Sequence, residues 1–571
     1  MKIIFHLTAL IAICIFCQPL ESQAQSLPVG TPVLEDALRR AQLLGQIDSS
    51  ISFTSRPLFP VASLKANNAF DFDGSLETER WNKTDCIFRF AKEKGRIQLL
   101  PFTWQQQFNT HHPYSLNDGA MIPARGYQTM ISGGIYAQYG PLSIQLRPEY
   151  TYAENKNFQG FSKEQPDQVW AEYYYLHNHI DMPERFGKTA YQKLFWGQSS
   201  LRLTVGPVSL GISNENLWWG PGVRNSLIMS NSAPGFHHIT LNTVKPIRTW
   251  IGSFEGQIIC GRLEDSGFTP PDTNRIYNGV KLYIPKRTDW RYINGMVVSF
   301  QPKWVPGLFF GATRTFITYY KDMGRTFKDF LPIITPMTKE ANYGDNESPF
   351  PNDQRASAFL RWLWVKANAE IYTEYMREDH ALNFRQIITF IEHTHAYVFG
   401  LRKMIPLNHF KNQFIQVNIE LTKLEQTTTN PEVPSEYLYV HYAGISQGYT
   451  NRGQLLGAGI GPGSNMQSLS VSWIKGLKTV GVEFERFVQN NDLHNSVFLD
   501  PRSNWVDLGA SAFGEWNYQN LLFSARLEFI HSLNYEYNFQ PIEGDITKYW
   551  APGQGQDVTN FQAHIGVTYR F

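Results

Sequence analysis

The sequence is low in three things: net charge, cysteine and long apolar stretches. Its 571 residues carry 51 basic and 50 acidic side chains, which gives a formal net charge of +1. Because nucleic-acid binding needs a basic excess, we expect no nucleic-acid partner. After the N-terminal segment no apolar stretch is long enough for a membrane-spanning helix, and this excludes a helical membrane protein.

Cysteine is also scarce, with four in the chain. Cys14 and Cys17 lie in an N-terminal segment that we expect to be removed, so Cys86 and Cys260 remain. Cys260 lies on the same strand face as Trp250, and this face has the pattern of a lipid-facing side. A disulfide between a lipid-facing Cys260 and Cys86 is therefore disfavoured. We therefore expect two free thiols rather than a disulfide framework.

Residues 1–24 have the features of a secretory signal peptide. Lys2 gives a positive start, Ile3 to Phe16 are mostly apolar, and Ser22-Gln23-Ala24 offers small residues for cleavage after Ala24. A lipoprotein signal is the alternative, but a bulky residue precedes each cysteine of this segment, where lipid attachment requires a small one.

The C-terminal residues show the clearest strand pattern in the sequence. From Phe561 to Phe571 apolar and polar residues alternate without a break, so the two kinds lie on opposite faces of a strand. Its length suits a tilted membrane-spanning strand of roughly 9–11 residues. A sandwich strand would also alternate, but it would need no aromatic at its end. We expect an outer-membrane strand that contacts lipid and, through Phe571, the barrel assembly machinery.

The same alternation recurs along the chain from about residue 96. Runs such as Ile135–Tyr139 and Leu201–Val205 are each followed by a Gly-Pro turn and a second run, and polar Gln416, Asn418 and Glu420 alternate with apolar neighbours. A polar lumen and an apolar lipid face also explain a mean hydropathy of -0.33 with 14% aromatic residues. The sequence predicts an all-β transmembrane fold, a large antiparallel barrel over residues 96–571 with about 16–18 strands. Short turns are expected on the periplasmic side and long loops outside.

Residues 25–95 come before the barrel and contain one predicted helix. Thr31 is a suitable N-cap, Pro32 suits the first position, and Glu35 and Asp36 favour the N-terminal dipole. Gly45 is expected to end the helix. We expect a small helical segment at the periplasmic mouth, packed on the rim or in the lumen, rather than a frayed tail.

Three segments go beyond the general pattern of a barrel. The first runs from Leu100-Pro101-Phe102 to Gly126-Tyr127-Gln128. The second runs from Glu215-Asn216-Leu217-Trp218-Trp219-Gly220-Pro221-Gly222 to Ala233-Pro234, and the third from Gly448-Tyr449-Thr450-Asn451-Arg452-Gly453-Gln454 to Gly461-Pro462-Gly463-Ser464. Together they resemble the Wzi-type capsule assembly family. The resemblance covers about Leu34 to Phe571. It implies an 18-stranded outer-membrane barrel with a small periplasmic helical piece, and a non-enzymatic surface lectin that holds capsular polysaccharide or exopolysaccharide.

The chemistry of these segments suits sugars. A sugar ring has apolar faces and a rim of hydroxyl groups, so its binding site needs aromatic planes beside amide and guanidinium groups. Arg224 could also pair with a uronic-acid carboxylate. The alternative is that the tryptophans belong to the aromatic girdle and that the glycine-rich loop folds into the lumen. The candidate polysaccharide contacts are Trp218, Trp219, Arg224, Asn225, Asn231, Tyr449, Asn451 and Arg452.

Motifs of catalysis and metal binding lack their required context. Ser446 has glycines two residues away on either side, as in a nucleophile elbow, but no helix is expected after it. Glu370 and Glu374 would lie about 13 Å apart on one strand, too far for a glycosidase pair, and salt bridges with residues such as Arg361 and Arg377 are their expected role. We therefore expect no catalytic residues.

The histidine pairs His177/His179 and His393/His395 would each share a strand face. Neither pair has a third histidine or a cysteine in phase, so we expect no metal and no cofactor. Two rival functions stay open at this point: a porin-like outer-membrane channel and an outer-membrane hydrolase.

Overall fold

The computed structural model describes residues 24–66, 68–76, 87–91, 94–335, 353–378, 383–426, 436–441, 444–498, 500–539 and 556–571. Residues 1–23 of the predicted signal peptide and Cys86 lie outside these ranges. Cys260 is a free thiol.

Eighteen antiparallel strands close into one barrel when each of three interrupted strands is counted once. The strands are β1 (Gly95–Asn109), β2 (Gly126–Tyr139), β3 (Leu142–Leu146 and Glu149–Ala153), β4 (Tyr191–Phe195 and Ser200–Val205), β5 (Val208–Ser213), β6 (His238–Thr243 and Ile247–Arg248), β7 (Gly252–Leu263), β8 (Arg291–Pro302), β9 (Leu308–Tyr319), β10 (Asp353–Trp364), β11 (Ala369–Glu378), β12 (His395–Pro406), β13 (Phe414–Lys423), β14 (Asn465–Lys475), β15 (Lys478–Val488), β16 (Val506–Tyr518), β17 (Leu521–Leu533) and β18 (Val558–Tyr569).

In the part of the chain that the structure describes, helices are few and short. They are α1 (Leu34–Leu43), α2 (Pro60–Leu64), α3 (Asp167–His177), α4 (Phe327–Phe330), α5 (Phe384–Thr389) and α6 (Asn491–Val497), with 3-10 turns at Pro332–Ile334, Val365–Ala367, Pro501–Ser503 and Tyr535–Tyr537. Within the described ranges, no helix combines the length and the apolarity that crossing a membrane requires.

The barrel closes between its first and last long strands. Phe102–Asn109 of β1 pair with β18, whereas Gly95–Gln98 of the same edge pair with a short strand, Ile87–Phe90. The far edge of β1 pairs with β2. Strand β1 begins at Gly95, and the N-terminal segment adds a short strand to the seam.

The outward face is apolar, as the C-terminal alternation predicts. Phe561, Ile565 and Tyr569 of β18 each expose about two-fifths of their surface, while Gln562 and Thr568 point inward and are buried. Closure lets every strand satisfy its backbone hydrogen bonds within the barrel, which lipid requires because it offers none.

The two ends of the barrel differ in their connections. At the short-turn end, tight turns such as Gly140-Pro141 and Gly206-Pro207 join neighbouring strands, and both glycines adopt positive φ (55° and 60°). A side chain would strain this conformation. At the long-loop end, the connections are long segments such as residues 214–237 and 264–290. Both predicted hairpins are confirmed.

Helix α1 lies inside the lumen at the short-turn end. Leu34, Ala37 and Leu38 pack in one cluster with Leu100, Tyr136 and Leu522 of the barrel wall and with Leu477 of the turn between β14 and β15. The predicted helix exists, but its predicted cap is wrong. The helix follows Val33 and has no side-chain cap, because the Thr31 hydroxyl donates instead to the carbonyl of Pro28 at 2.7 Å.

The long-loop half of the lumen is filled by the protein's own loops. Inward Ile259, Ile293 and Val297 are fully buried in one cluster with Trp219 and Met229 of the segment 214–237. The expectation that inward positions are polar is confirmed for Gln416 and Glu420, but it is wrong for these three apolar wall residues. The apolar wall replaces a polar one because it packs against a plug rather than against water.

Candidate functional site

The two predicted tryptophans lie within the plug. Trp218 and Trp219 form a short strand that pairs with Ser55–Arg56 of the N-terminal segment. Trp219 is fully buried, and its indole N–H donates to Oε1 of Gln257 at 2.9 Å. The guanidinium carbon of Arg56 lies 5.0 Å from the centre of the Trp218 ring. Both rings therefore join the loop plug to the N-terminal segment and to the wall.

Arg224 and Asn225 hold the same loop against the opposite wall. The backbone N–H groups of Val223, Arg224 and Asn225 all donate to the carboxylate of Glu420. The Arg224 guanidinium forms ion pairs with Glu483 at 3.3 Å and with Glu485. Burial lowers the pKa of Arg224, but these carboxylates outweigh it and hold the pKa well above its usual range. Arg224 keeps about a fifth of its side chain exposed.

Asn231 and Asn451 tie the three recognised segments together. Asn231 donates from Nδ2 to the carbonyl of Asn117 at 2.8 Å, and Asn451 donates from Nδ2 to the carbonyl of Pro234 at 3.0 Å. The backbone N–H of Ser230 donates to the carbonyl of Leu456 at 2.7 Å. Segments far apart in sequence thus meet as one layer at the long-loop end.

Tyr449 and Arg452 fasten the glycine-rich segment to the wall. Tyr449 is fully buried, with the Arg355 guanidinium 4.3 Å from its ring centre and its hydroxyl 3.4 Å from Oγ1 of Thr315. Arg452, at φ 53°, forms an ion pair with Glu264, and each keeps about a quarter of its side chain exposed. Among the eight predicted contacts, Arg224 and Arg452 have the most accessible side chains.

The first and third recognised segments enclose a cavity of about 220 Å³ at the long-loop end, called here the upper cavity. Tyr114, Leu116 and Ile460 give it apolar surface, and Ser232, Gln454 and Gln489 give it hydrogen-bonding groups. Tyr114 and Gln454 belong to the recognised segments but were not among the predicted contacts. No local sequence signal marks Leu116 or Gln489, because their role depends on distant loops meeting.

The catalytic alternatives find no supporting geometry in the described residues. The Ser446 hydroxyl lies 3.0 Å from the hydroxyl of Tyr319, and the chain continues into the short strand Thr450–Asn451, not a helix. Glu370 is held by Arg361 at 2.5 Å, as predicted, while Glu374 accepts from the Ser357 hydroxyl at 2.7 Å.

The predicted strand placement of His177 and His179 is wrong. His177 is the last residue of α3, a helix that the sequence pattern did not reveal, and His179 follows that helix. Within the described part of the chain, no group of three or more histidine, cysteine or acidic side chains is arranged to hold a metal ion.

The closed strands, the apolar outer band and the loop-filled lumen define an outer-membrane β-barrel with an internal plug. The family model of the capsule assembly protein Wzi matches residues 113–540. The chain therefore belongs to the Wzi capsule assembly protein family.

A solved structure with a TM-score above 0.5 agrees on the fold. The Escherichia coli protein Wzi, described as a carbohydrate-binding outer-membrane barrel involved in group 1 capsule assembly, shares 13% identity with a TM-score of 0.56, over 96% of this chain and 100% of that one. Acinetobacter baumannii OccAB2 shares 11% identity with a TM-score of 0.37, over 82% and 98%. A BenF-like porin from Pseudomonas fluorescens shares 8% with a TM-score of 0.36, over 84% and 99%. No curated protein sequence matches the chain.

Proposed function

We propose that this protein binds capsular polysaccharide or exopolysaccharide at the cell surface and retains it there without chemical change. The observation that carries the proposal is the upper cavity, where two family-specific segments meet at the long-loop end of a plugged barrel. Its lining offers both apolar surface for sugar ring faces and amide and hydroxyl groups for sugar hydroxyls. The related Escherichia coli barrel is described as carbohydrate-binding, which supports the same role here.

The eight residues predicted from sequence divide into two groups under this proposal. Arg224 and Arg452 are proposed as direct contacts, since their guanidinium groups remain partly exposed beside carboxylate partners. The other six, which are largely or fully buried, are proposed to act by fixing the loops that form the site.

The direct test is binding of the purified, detergent-solubilised protein to the host's own surface polysaccharide. Leu116→Trp fills the upper cavity and should weaken binding at least tenfold. The matched control, Leu407→Trp, lies in the turn at the short-turn end and should bind as the unchanged protein does. Equal binding by both variants would contradict the proposal.

The cellular test uses deletion of the gene. Under the proposal, cells continue to make polysaccharide but release it into the medium, so the attached amount falls while the total does not. An unchanged attached amount would contradict retention. Incubation of purified polymer with the protein should leave its chain length unchanged, because a retaining protein breaks no glycosidic bond.

We also propose how the protein reaches its membrane. Residues 1–24 would be removed as a signal peptide, and the strand ending at Phe571 would be recognised by the barrel assembly machinery. Replacing the terminal aromatic, Phe571→Ser, should slow insertion into the outer membrane. The test is the fraction of protein in the outer membrane after a pulse of synthesis, compared with Phe561→Ser, whose position is not terminal.

A further inference from the structure

A second cavity lies deeper in the barrel, at mid-height of the strands, and has a volume of about 270 Å³. This luminal chamber is bounded by Pro28–Pro32 of the N-terminal segment, by the loop Asn117–Ala120 and by the wall on both sides of the seam. Asn117 also borders the upper cavity, so the loop at residues 117–120 separates the two spaces. Its volume approaches the lower end of the roughly 300–1,000 Å³ typical of small-molecule sites.

Arg147 is the unusual group in the chamber wall. It stands at the interruption of β3, where it bridges to Gly197 at the interruption of β4, and only 4% of its surface is exposed. Its Nη2 donates to the hydroxyl of Thr103 at 3.1 Å, but its Nε has no hydrogen-bond partner. Among the described residues no carboxylate lies within 4.0 Å of this guanidinium, whereas Arg202 pairs with Glu215 at 2.6 Å. The Phe70 ring lies 5.6 Å from the guanidinium carbon, and Glu149 attracts the charge from beyond ion-pair distance. A ligand anion in direct contact would stabilise this buried guanidinium further.

The rest of the lining selects the kind of anion. The chamber holds three cationic or basic groups and three carboxylates: Arg147, Arg526, His564, Asp118, Glu149 and Glu515. Asp118 accepts the Ser115 hydroxyl on Oδ2 and Glu149 accepts Gln198 on Oε1, so the other oxygen of each remains an acceptor. These carboxylates would repel a bare phosphate, but they would accept hydrogen bonds from the hydroxyl groups of a sugar.

We propose that the luminal chamber is a binding site for a hydroxylated carboxylate of the size of one hexuronic acid. Its carboxylate pairs with Arg147, and its hydroxyl groups donate to Asp118 and Glu149. This site is separate from the upper cavity and does not depend on polymer retention there. The interrupted strands create it, because the break at Pro148 releases Arg147 from a regular ladder and leaves its side chain in the lumen.

The test is calorimetry on the full protein in detergent with glucuronate, glucose, acetate and phosphate. Glucuronate should bind most tightly, Arg147→Met should weaken it at least tenfold, and Arg147→Lys should restore part of the affinity. Arg248→Met, a control at an exposed arginine, should bind as the unchanged protein does. A crystal soaked in glucuronate should show its carboxylate against Arg147.

Three outcomes would overturn the proposal. They are no measurable glucuronate binding, equal binding by folded Arg147→Met protein, and phosphate or acetate binding as tightly as glucuronate. Leu116→Trp should leave glucuronate binding intact, because it fills only the upper cavity. If instead Leu116→Trp abolishes glucuronate binding while Arg147→Met does not, the ligand occupies the upper cavity and the chamber proposal is wrong.

Discussion

Arg39 of α1 donates a hydrogen bond from Nε to Oε1 of Glu370 on β11 at 2.7 Å, across 331 positions of sequence. Arg361 binds the other oxygen of the same carboxylate at 2.5 Å. All three side chains are almost completely buried. One carboxylate therefore joins the helix in the lumen to the barrel wall, and losing it would leave two buried guanidinium groups without their acidic partner.

Glu370→Gln should loosen α1 and expose the lumen at the short-turn end. Removing one member of a buried ion pair typically costs about 3–5 kcal/mol. We expect lower stability to denaturant in detergent and current steps in planar bilayers that the unchanged protein lacks. Glu515→Gln is the control. This carboxylate also faces α1, but its ion pair with Arg40 is longer, at 3.8 Å, and therefore weaker. Equal conductance by all three proteins would show that Glu370 does not hold α1 in the lumen.

Bilayer conductance also separates retention from a porin-like role. In the described residues the lumen holds α1 at one end and the loop plug at the other, so the unchanged protein should pass little current. Steady large conductance by the unchanged protein would favour a channel instead.

Trp219→Ala should destabilise the plug strongly. The substitution removes a fully buried ring and its 2.9 Å hydrogen bond to Gln257, and such losses typically cost about 3–5 kcal/mol. Chemical denaturation in detergent measures the change. Trp250→Ala is the matched control, because that ring is 85% exposed and its loss should cost less than about 0.5 kcal/mol. Equal losses in the two variants would show that Trp219 does not support the plug.

Arg452→Ala separates sugar contact from loop support. Its ion pair with Glu264 is partly exposed on both sides, so losing it should change stability by less than about 1 kcal/mol. If Arg452 touches polysaccharide, affinity should fall about tenfold while the denaturation midpoint barely moves. Unchanged affinity would remove this residue from the proposed contacts.

The cap of loops at the long-loop end should loosen as pH rises. Burial raises the pKa of Glu184 from 4.5 to about 7, and burial likewise raises the pKa of Asp492 from 3.8 to about 7. Because the protonated form is favoured in the folded cap, the stabilisation is complete below about pH 4 and is lost as pH rises through about 7. Hydrogen-exchange protection factors, which correct for the intrinsic effect of pH on exchange, should be higher in α3 and α6 at pH 5 than at pH 8.

Glu184→Gln and Asp492→Asn together should remove this pH dependence. Glu154→Gln is the control. Hydrogen bonding to Lys156 lowers the pKa of Glu154, so this carboxyl does not titrate between pH 5 and pH 8. Protection factors that remain equally pH-dependent in the double variant would contradict the assignment to these two carboxyls.

Local patterns were sufficient to predict the barrel. Alternation from Phe561 to Tyr569 and the turns at Gly140 and Gly206 depend on neighbouring residues, so one sequence reveals them. The family-specific segments identified the correct family over residues 113–540.

The interior of the barrel could not be predicted in the same way. Pairs such as Arg39 with Glu370, or Trp219 with Gln257, form across the lumen, and no spacing in the sequence encodes them. Helix α3 was missed because Trp170, Tyr173, Tyr174 and Leu176 are buried on several sides among loops, which obscures a single apolar stripe. The sequence marked Trp218 and Trp219 as candidate sugar contacts, whereas the structure buries both rings within the plug.

Both ends of the chain contribute to the seam at which the barrel closes. Arg570 follows the last strand, is fully buried, and donates from Nη1 to the carbonyl of Phe70 at 3.2 Å, while Ile87–Phe90 complete the edge of β1 that β18 leaves uncovered. The N-terminal segment thus contributes both to the filled interior and to the closure of the wall. Losing either end of the chain would leave part of this edge of β1 unpaired.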